Sequence, residues 1–195
     1  MITDINSLDP GGYYTYQDYL TWHFKDRVEL LLGRLFKMSP APNVRHQAIS
    51  SFIHGELYLF LKEQKSCRLF SAPFDVRLPV SKEKGKTDTV VQPDLCIICD
   101  ENKLDEQGCN GAPDLVIEIL SPGNTHKEMK EKFDLYEASL VREYWIVDPT
   151  REDVLVYYLN EQHTYIGSKP FVAGEKVISK VFPDVEMAIE DVFAK

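Results

Sequence analysis

Two carboxylates lie inside runs of Val, Ile and Leu. Asp94 stands between Val90-Val91 and Leu95-Cys96-Ile97-Ile98, and Glu118 lies within Asp114-Leu115-Val116-Ile117-Glu118-Ile119-Leu120. A buried carboxylate is costly unless it has a partner, a proton or a metal ion. If the second run is a strand, residues 114, 116, 118 and 120 share one face. Glu118 is then flanked by Val116 and Leu120 on its own face and by Ile117 and Ile119 on the other, a covered central strand carrying one acid. For one such acid a turn cap or a Lys partner is a sufficient explanation. Two acids followed by a Lys-rich helix point instead to a divalent cation. Carboxylate oxygens, completed by water and a substrate phosphate, suit Mg²⁺ or Mn²⁺. Such an ion activates water and neutralises charge on a phosphate, and a nearby Lys adds electrostatic stabilisation. Two acids and a Lys are common in a chain of this length, so spacing alone does not decide the chemistry.

The elements that must hold these acids can be read in order. Residues 1–12 end in Asp9-Pro10-Gly11-Gly12 and read as a mobile arm ahead of a single domain, residues 13–195. Thr15 caps a short helix over residues 16–24. Residues 28–38 have the pattern of a hairpin turning near Gly33, with Glu29 the one acid in that apolar stretch. Ser39-Pro40-Ala41-Pro42 breaks it. Asn43 offers an N-cap for a helix to about Gln64, in which Ile49, Phe52, Ile53, Leu57, Phe60 and Leu61 follow the 3.6-residue period. His46 shares that inward face, where a lone His is commonly a satisfied core residue. Residues 68–78 alternate as one strand, with Phe70, Ala72, Phe74, Val76 and Leu78 on one face. Residues 81–86, with Lys82, Lys84 and Lys86, form a basic loop: a solvated turn or a phosphate contact. Residues 100–113 read as a connection. The Glu118 strand ends at Ser121-Pro122-Gly123-Asn124. A helix over residues 125–139 follows, its inward stripe Met129, Phe133, Tyr136 and Leu140, with Lys132 on the shoulder. Strands at residues 143–147 and 154–159, shorter pieces near 165–166, 171–172 and 177–181, and a closing helical turn complete the chain. The central order helix, strand, strand, strand, helix, strand predicts an α+β or α/β domain with a mixed central sheet flanked by helices. The Glu118 and Trp145 strands should be parallel through a crossover.

Composition narrows the class. A 44% hydrophobic, 27% charged chain is typical of a globular domain. The net charge of −9 argues against a surface that binds polyanions everywhere, so a nucleic-acid partner needs local basic groups or metal ions. The N-terminus lacks the features of a signal peptide and no apolar run is long enough to span a membrane. Four cysteines suggest a reducing, cytoplasmic setting rather than a disulfide framework. Cys96 and Cys99 lie three apart in a strand, on opposite faces, and so do not share a zinc.

Several segments carry a closer resemblance. They are Val91-Gln92-Pro93-Asp94-Leu95, the run from Gly111 through Asp114 and Glu118 to Ser121-Pro122, Glu131-Lys132-Phe133-Asp134-Leu135-Tyr136, and Arg142-Glu143-Tyr144-Trp145-Ile146-Val147-Asp148-Pro149. Glu29-Leu30 with Gly33, Met38-Ser39-Pro40 and Arg45-His46-Gln47 extend them upstream. Together they closely resemble the Uma-two-type restriction endonuclease family, a bacterial, notably cyanobacterial, branch of the PD-(D/E)xK nuclease superfamily. The resemblance implies a restriction-endonuclease-like core with an N-terminal hairpin and extra C-terminal strands. It makes Asp94 the acid of the PD motif and Glu118 that of the next motif, both metal ligands for Mg²⁺ or Mn²⁺. The superfamily places its Lys two residues after the second acid, where this chain has Leu120. The basic role then passes to Lys132, whose ordinary alternative is a helix-surface pair with Glu128. Glu29 and His46 match recurrent family positions, as a third acid and as a water-positioning or phosphate-contacting group. Asp114 also matches and is expected to fix the turn before its strand. The implied activity is metal-dependent endonucleolytic hydrolysis of DNA by a homodimer. The competing readings are a catalytically inactive nucleic-acid or protein-interaction module of the same fold and a hydrolase of small phosphoesters. Lys82, Lys84, Lys86, Lys127 and Lys130 are the candidate nucleic-acid contacts.

Overall fold

The computed structural model describes residues 1–38, 43–64, 66–121 and 126–194; the breaks expected at residues 39–42 and 122–124 lie outside them. The first dozen residues, read from sequence as a mobile arm, fold back on the domain. Ile2 forms a bridge with Trp22, and Ile2, Ile5 and Leu8 pack on a cluster of Tyr16, Trp22, Val28, Leu30 and Val90. Helix α1 (Tyr16–Tyr19) is shorter than predicted; the Thr15 N–H donates to Asp18 Oδ2 at its start. Strands β1 (Val28–Leu31) and β2 (Arg34–Lys37) make the expected hairpin. Leu32 and Gly33 turn it with φ of 49° and 77°, the sign that two-residue hairpin turns favour. A Cβ on Gly33 would lie 2.2 Å from the Tyr13 ring, so this position accepts only glycine.

Helix α2 (Val44–Gln64) begins where Asn43 predicts, its Oδ1 accepting the His46 backbone N–H at 2.9 Å. Ile49, Ile53, Leu57 and Leu61 are buried along it, as the period requires. The predicted strand over residues 68–78 is two strands. Strand β3 (Arg68–Ser71) ends before Ala72-Pro73, and β4 (Val76–Arg77) resumes in another sheet. The alternation persisted in sequence because each half buries one face, but Pro73 has no N–H to donate to a ladder. The next run divides likewise, into β5 (Val90–Val91) and β6 (Leu95–Ile98) on either side of Gln92-Pro93-Asp94. The expected connection at 100–113 contains a small hairpin, β7 (Leu104–Asp105) and β8 (Gly108–Asn110). There follow β9 (Leu115–Ile119), α3 (His126–Ala138), β10 (Glu143–Asp148), β11 (Asp153–Leu159), β12 (Tyr165–Gly167), β13 (Lys176–Ile178), β14 (Glu186–Ala188) and α4 (Ile189–Val192).

Two six-stranded mixed sheets result, ordered β12-β11-β10-β9-β6-β3 and β2-β1-β5-β4-β8-β7, with β13 and β14 as a separate pair. The first sheet carries the predicted core: α2, β3, β6, β9, α3, β10, with β9 and β10 parallel as expected. The four short strands β4, β5, β7 and β8 leave it to extend the N-terminal hairpin. Alternation gives this sheet two buried faces. Ile97, Leu115, Ile117, Trp145 and Val147 face α2, while Cys96, Val116, Tyr144 and Ile146 share a core with Leu135 and Tyr136 of α3 and with Leu31, Val76 and Val91 of the second sheet. Helix α3 ends at Ala138, and Leu140, placed in the inward stripe by its spacing, is instead exposed with φ of 65°. Cys67 and Cys99 are joined by a disulfide, contrary to the expectation from cysteine number, while Cys96 and Cys109 are free and buried.

Candidate active site

The register brings the two acids together. Strands β6 and β9 pair antiparallel with Leu95 opposite Ile117, so the next residues outward are Asp94 and Glu118. Residues opposite one another in a ladder carry their side chains on one face. Where the ladder ends at Gln92-Pro93-Asp94, the Asp94 side chain takes it over: Oδ2 accepts the Ile119 N–H at 2.8 Å. His46 Nε2 lies 3.2 Å from the same oxygen. His46 is thus the satisfied, inward-facing residue that its helix position predicts at Nε2, while its buried Nδ1 has no hydrogen-bond partner among the described residues. Burial alone would lower the imidazole pKa, but the Asp94 carboxylate outweighs it and the pKa is raised.

Glu118 sits on the face of β9 shared with Val116 and turned to α3. Its Oε1 accepts two hydrogen bonds from that helix, from Lys132 Nζ at 2.9 Å and from the Tyr136 hydroxyl at 2.7 Å. Lys132 and Tyr136 are one helical turn apart and so reach one point. The Lys132 ammonium also lies 3.0 Å from both oxygens of Glu29 on β1. Glu29 Oε1 in turn accepts the Gln92 N–H at 2.8 Å. Lys132 is only 7% exposed and Glu29 2%, so this is an internal charge cluster and not a helix-surface pair. Burial pushes the Glu118 carboxyl well above its usual range, with Asp94 and Glu29 adding to the shift and Lys132 opposing it. Burial would lower the Lys132 pKa, but Glu118 and Glu29 more than offset it, so the ammonium stays charged. Burial and the Glu118 carboxylate keep Tyr136 protonated as a donor.

The structure therefore places these residues in two neighbouring groups, Asp94 with His46 and Glu118 with Lys132 and Glu29, near enough that Asp94 helps to raise the Glu118 pKa. Leu120, at the place of the superfamily Lys, packs against the apolar core beside α3. Asp114 stands apart: its oxygens accept the Cys99 N–H at 2.8 Å and pair with Arg142 at 2.9 Å, tying the strand start to its neighbours. Tyr136 and Gln92 were not anticipated. Tyr136 was counted as an apolar stripe residue, and nothing in its spacing marks its hydroxyl. Gln92, a polar residue beside an acid in an apolar run, carried a signal that was passed over.

The donor set can be tested against a divalent cation. Asp94 Oδ2 and Glu118 Oε1 are engaged by protein donors, whereas Asp94 Oδ1 and Glu118 Oε2 have no hydrogen-bond partner among the described residues. Two carboxylate oxygens in a largely buried acidic site, the rest supplied by water and substrate phosphate, is how Mg²⁺ is commonly held. The residues fit such an ion with two protein ligands; among the described residues no group of three or more His, Cys, Asp or Glu side chains gathers to hold a metal. Glu29 is committed to Lys132 and Gln92 and is not a third ligand. Beside Asp94 a cleft of about 340 Å³ opens along α2.

Fold and comparison together define a restriction-endonuclease-like α+β domain. The same fold occurs in a solved structure described as "a putative nuclease belonging to DUF820" from Anabaena variabilis ATCC 29413, with a TM-score of 0.72 and 21% identity over 92% of this chain and 97% of that one. No curated protein matches the chain. The family model described as "Uma2: Putative restriction endonuclease" matches residues 16–190, and the chain belongs to that family.

Proposed function

We propose that this protein is a divalent-metal-dependent endonuclease that hydrolyses DNA phosphodiester bonds, with Asp94 and Glu118 as its metal ligands and Lys132 as the fixed positive charge beside them. The observation that carries the reading is the division of labour within each carboxylate: one oxygen is fixed by protein donors, and the other has no hydrogen-bond partner among the described residues. Bound Mg²⁺ or Mn²⁺ would supply an activated water and a counter-charge for the phosphate. The protein's own groups do the rest. The Ile119 N–H and His46 hold Asp94, Lys132 and Tyr136 hold Glu118, and Glu29, itself held by the Gln92 N–H, holds Lys132. A buried ammonium fixed in this way needs no reorganisation as negative charge develops on a phosphate oxygen, which is the condition for strong electrostatic stabilisation. The family resemblance adds a homodimer, to be checked by light scattering. Among the described residues no helix is long and apolar enough to cross a membrane.

The test is incubation of supercoiled DNA with the protein in Mn²⁺ and in EDTA, alongside Asp94→Asn. Nicked or linear products should form only with the ion and only with the wild type. Equal cutting by Asp94→Asn would refute the assignment. Binding of DNA with no cutting under any metal would favour the non-catalytic module, the reading that the missing Lys at Leu120 supports.

A further inference from the structure

The cleft beside Asp94 has a composition unlike the rest of this acidic surface. Its wall on α2 is Gln47, Ser50, Ser51 and His54, residues spaced i, i+3, i+4 and i+7 and therefore on one helix face, beside the buried Ile49, Ile53 and Leu57. Arg27, just before β1, closes the other side, and Asp94 is the one acid lining it. In a chain of net charge −9, a polar stripe with no carboxylate along its helix is the exception.

Arg27 is also held differently from five other arginines. Arg45, Arg68, Arg77, Arg142 and Arg151 each pair with a carboxylate. Arg27 instead donates from Nε and Nη2 to the amide oxygen of Gln92, at 3.1 and 2.9 Å. The Gln92 amide nitrogen is anchored in turn on Asp75 Oδ1 at 2.7 Å and the Tyr19 hydroxyl at 3.2 Å. The guanidinium is thus oriented by a neutral partner, its charge not cancelled and Nη1 left without a partner among the described residues. At about 340 Å³ the cleft is at the small end of ligand sites, which run from roughly 300 Å³ upward.

We infer that this cleft is the track for the phosphate backbone of the strand being cut, with Arg27 as the phosphate clamp next to the scissile position and Ser50 and His54 as contacts along α2. The inference rests on the nuclease reading and names the side from which the strand approaches Asp94. It also relocates the nucleic-acid contacts. Lys86 is paired with Glu83 and Lys130 with Asp134, so two of the lysines expected to meet nucleic acid already meet acids; the Lys127 side chain lies outside the described residues.

The experiment measures binding of a short fluorescein-labelled DNA duplex by anisotropy in Ca²⁺ over a salt series, for wild type, Arg27→Gln, Arg27→Lys and the double variant Ser50→Ala/His54→Ala. Wild-type cleavage in Mn²⁺ is followed in parallel. Arg27→Gln should weaken binding and lower the salt slope by about one, the value for one lost phosphate contact, while Arg27→Lys keeps the slope. The double variant should weaken binding with a smaller change in slope. Unchanged affinity and slope in Arg27→Gln and in the double variant, with wild-type cleavage intact, would overturn the track and leave the nuclease reading standing. A wild type that neither binds nor cuts would overturn both. Thermal melting of each variant separates loss of binding from unfolding; Arg27 is exposed, while Ser50 and His54 are partly buried.

Discussion

At the scale of single residues, the account depends on Lys132. Read from sequence, its alternative role was a surface pair with Glu128, for which Lys132→Met would leave folding almost untouched. The structure reverses that expectation. Lys132 pairs with Glu118 and Glu29, both largely buried, and removing one partner of a buried charge pair costs about 3–5 kcal/mol. Lys132→Met should therefore lower the urea midpoint markedly, and Mn²⁺ should restore part of the loss by binding the folded state. Single-turnover cleavage should fall by roughly 100-fold or more, as for the loss of one preorganised electrostatic group. A wild-type midpoint together with a wild-type rate would show that neither folding nor cleavage depends on the Lys132 charge. Asp94 and Glu118 were legible because a charge inside an apolar run demands an explanation. Lys132 was legible only through the family resemblance, since its helical position alone fits a solvated face equally well. Gln92 stood out as a polar residue in an apolar run, but Arg27 did not, because a bond from a guanidinium to an amide leaves no trace in spacing.

Among the elements, α3 matters most because it delivers both Lys132 and Tyr136 to Glu118, and its end is well defined. The Val141 N–H returns to the Tyr136 carbonyl at 3.0 Å, and Leu140 takes the left-handed position that closes the helix. A left-handed leucine costs about 1–2 kcal/mol, part of which glycine would return as unfolded-state entropy. Leu140→Gly should thus raise stability by up to about 1 kcal/mol in urea unfolding while leaving cleavage alone; a loss of stability would show that the half-exposed Leu140 side chain contributes packing. Long elements with a clear period were read well from sequence: α2 from its Asn43 cap to its end, and the parallel β9 and β10 pair. Elements of two or three residues were not. Strands β7 and β8 vanished into a polar connection, and the division of residues 68–78 was hidden because both halves continue one alternation across Ala72-Pro73.

For the molecule as a whole, the central sheet and its flanking helices were legible, but the second six-stranded sheet was not, since strands as short as β4 and β5 acquire meaning only from long-range pairing. The disulfide between Cys67 and Cys99, 32 residues apart, was likewise invisible to spacing. Net charge remains informative at this scale. With −9 overall, DNA binding in EDTA should be weak and should fall steeply with salt, because attraction is confined to a local cleft and must overcome a repulsive surface. Tight, salt-insensitive binding in EDTA by anisotropy would contradict this. The central claim is that Asp94 and Glu118 share one divalent cation, and an anomalous difference map from a crystal soaked in Mn²⁺ tests it most directly. The account predicts one peak in contact with both carboxylates, on the Asp94 Oδ1 and Glu118 Oε2 side, with Lys132 still bonded to Glu118 Oε1. A map with no peak there, or with Mn²⁺ held elsewhere in the protein, would contradict it.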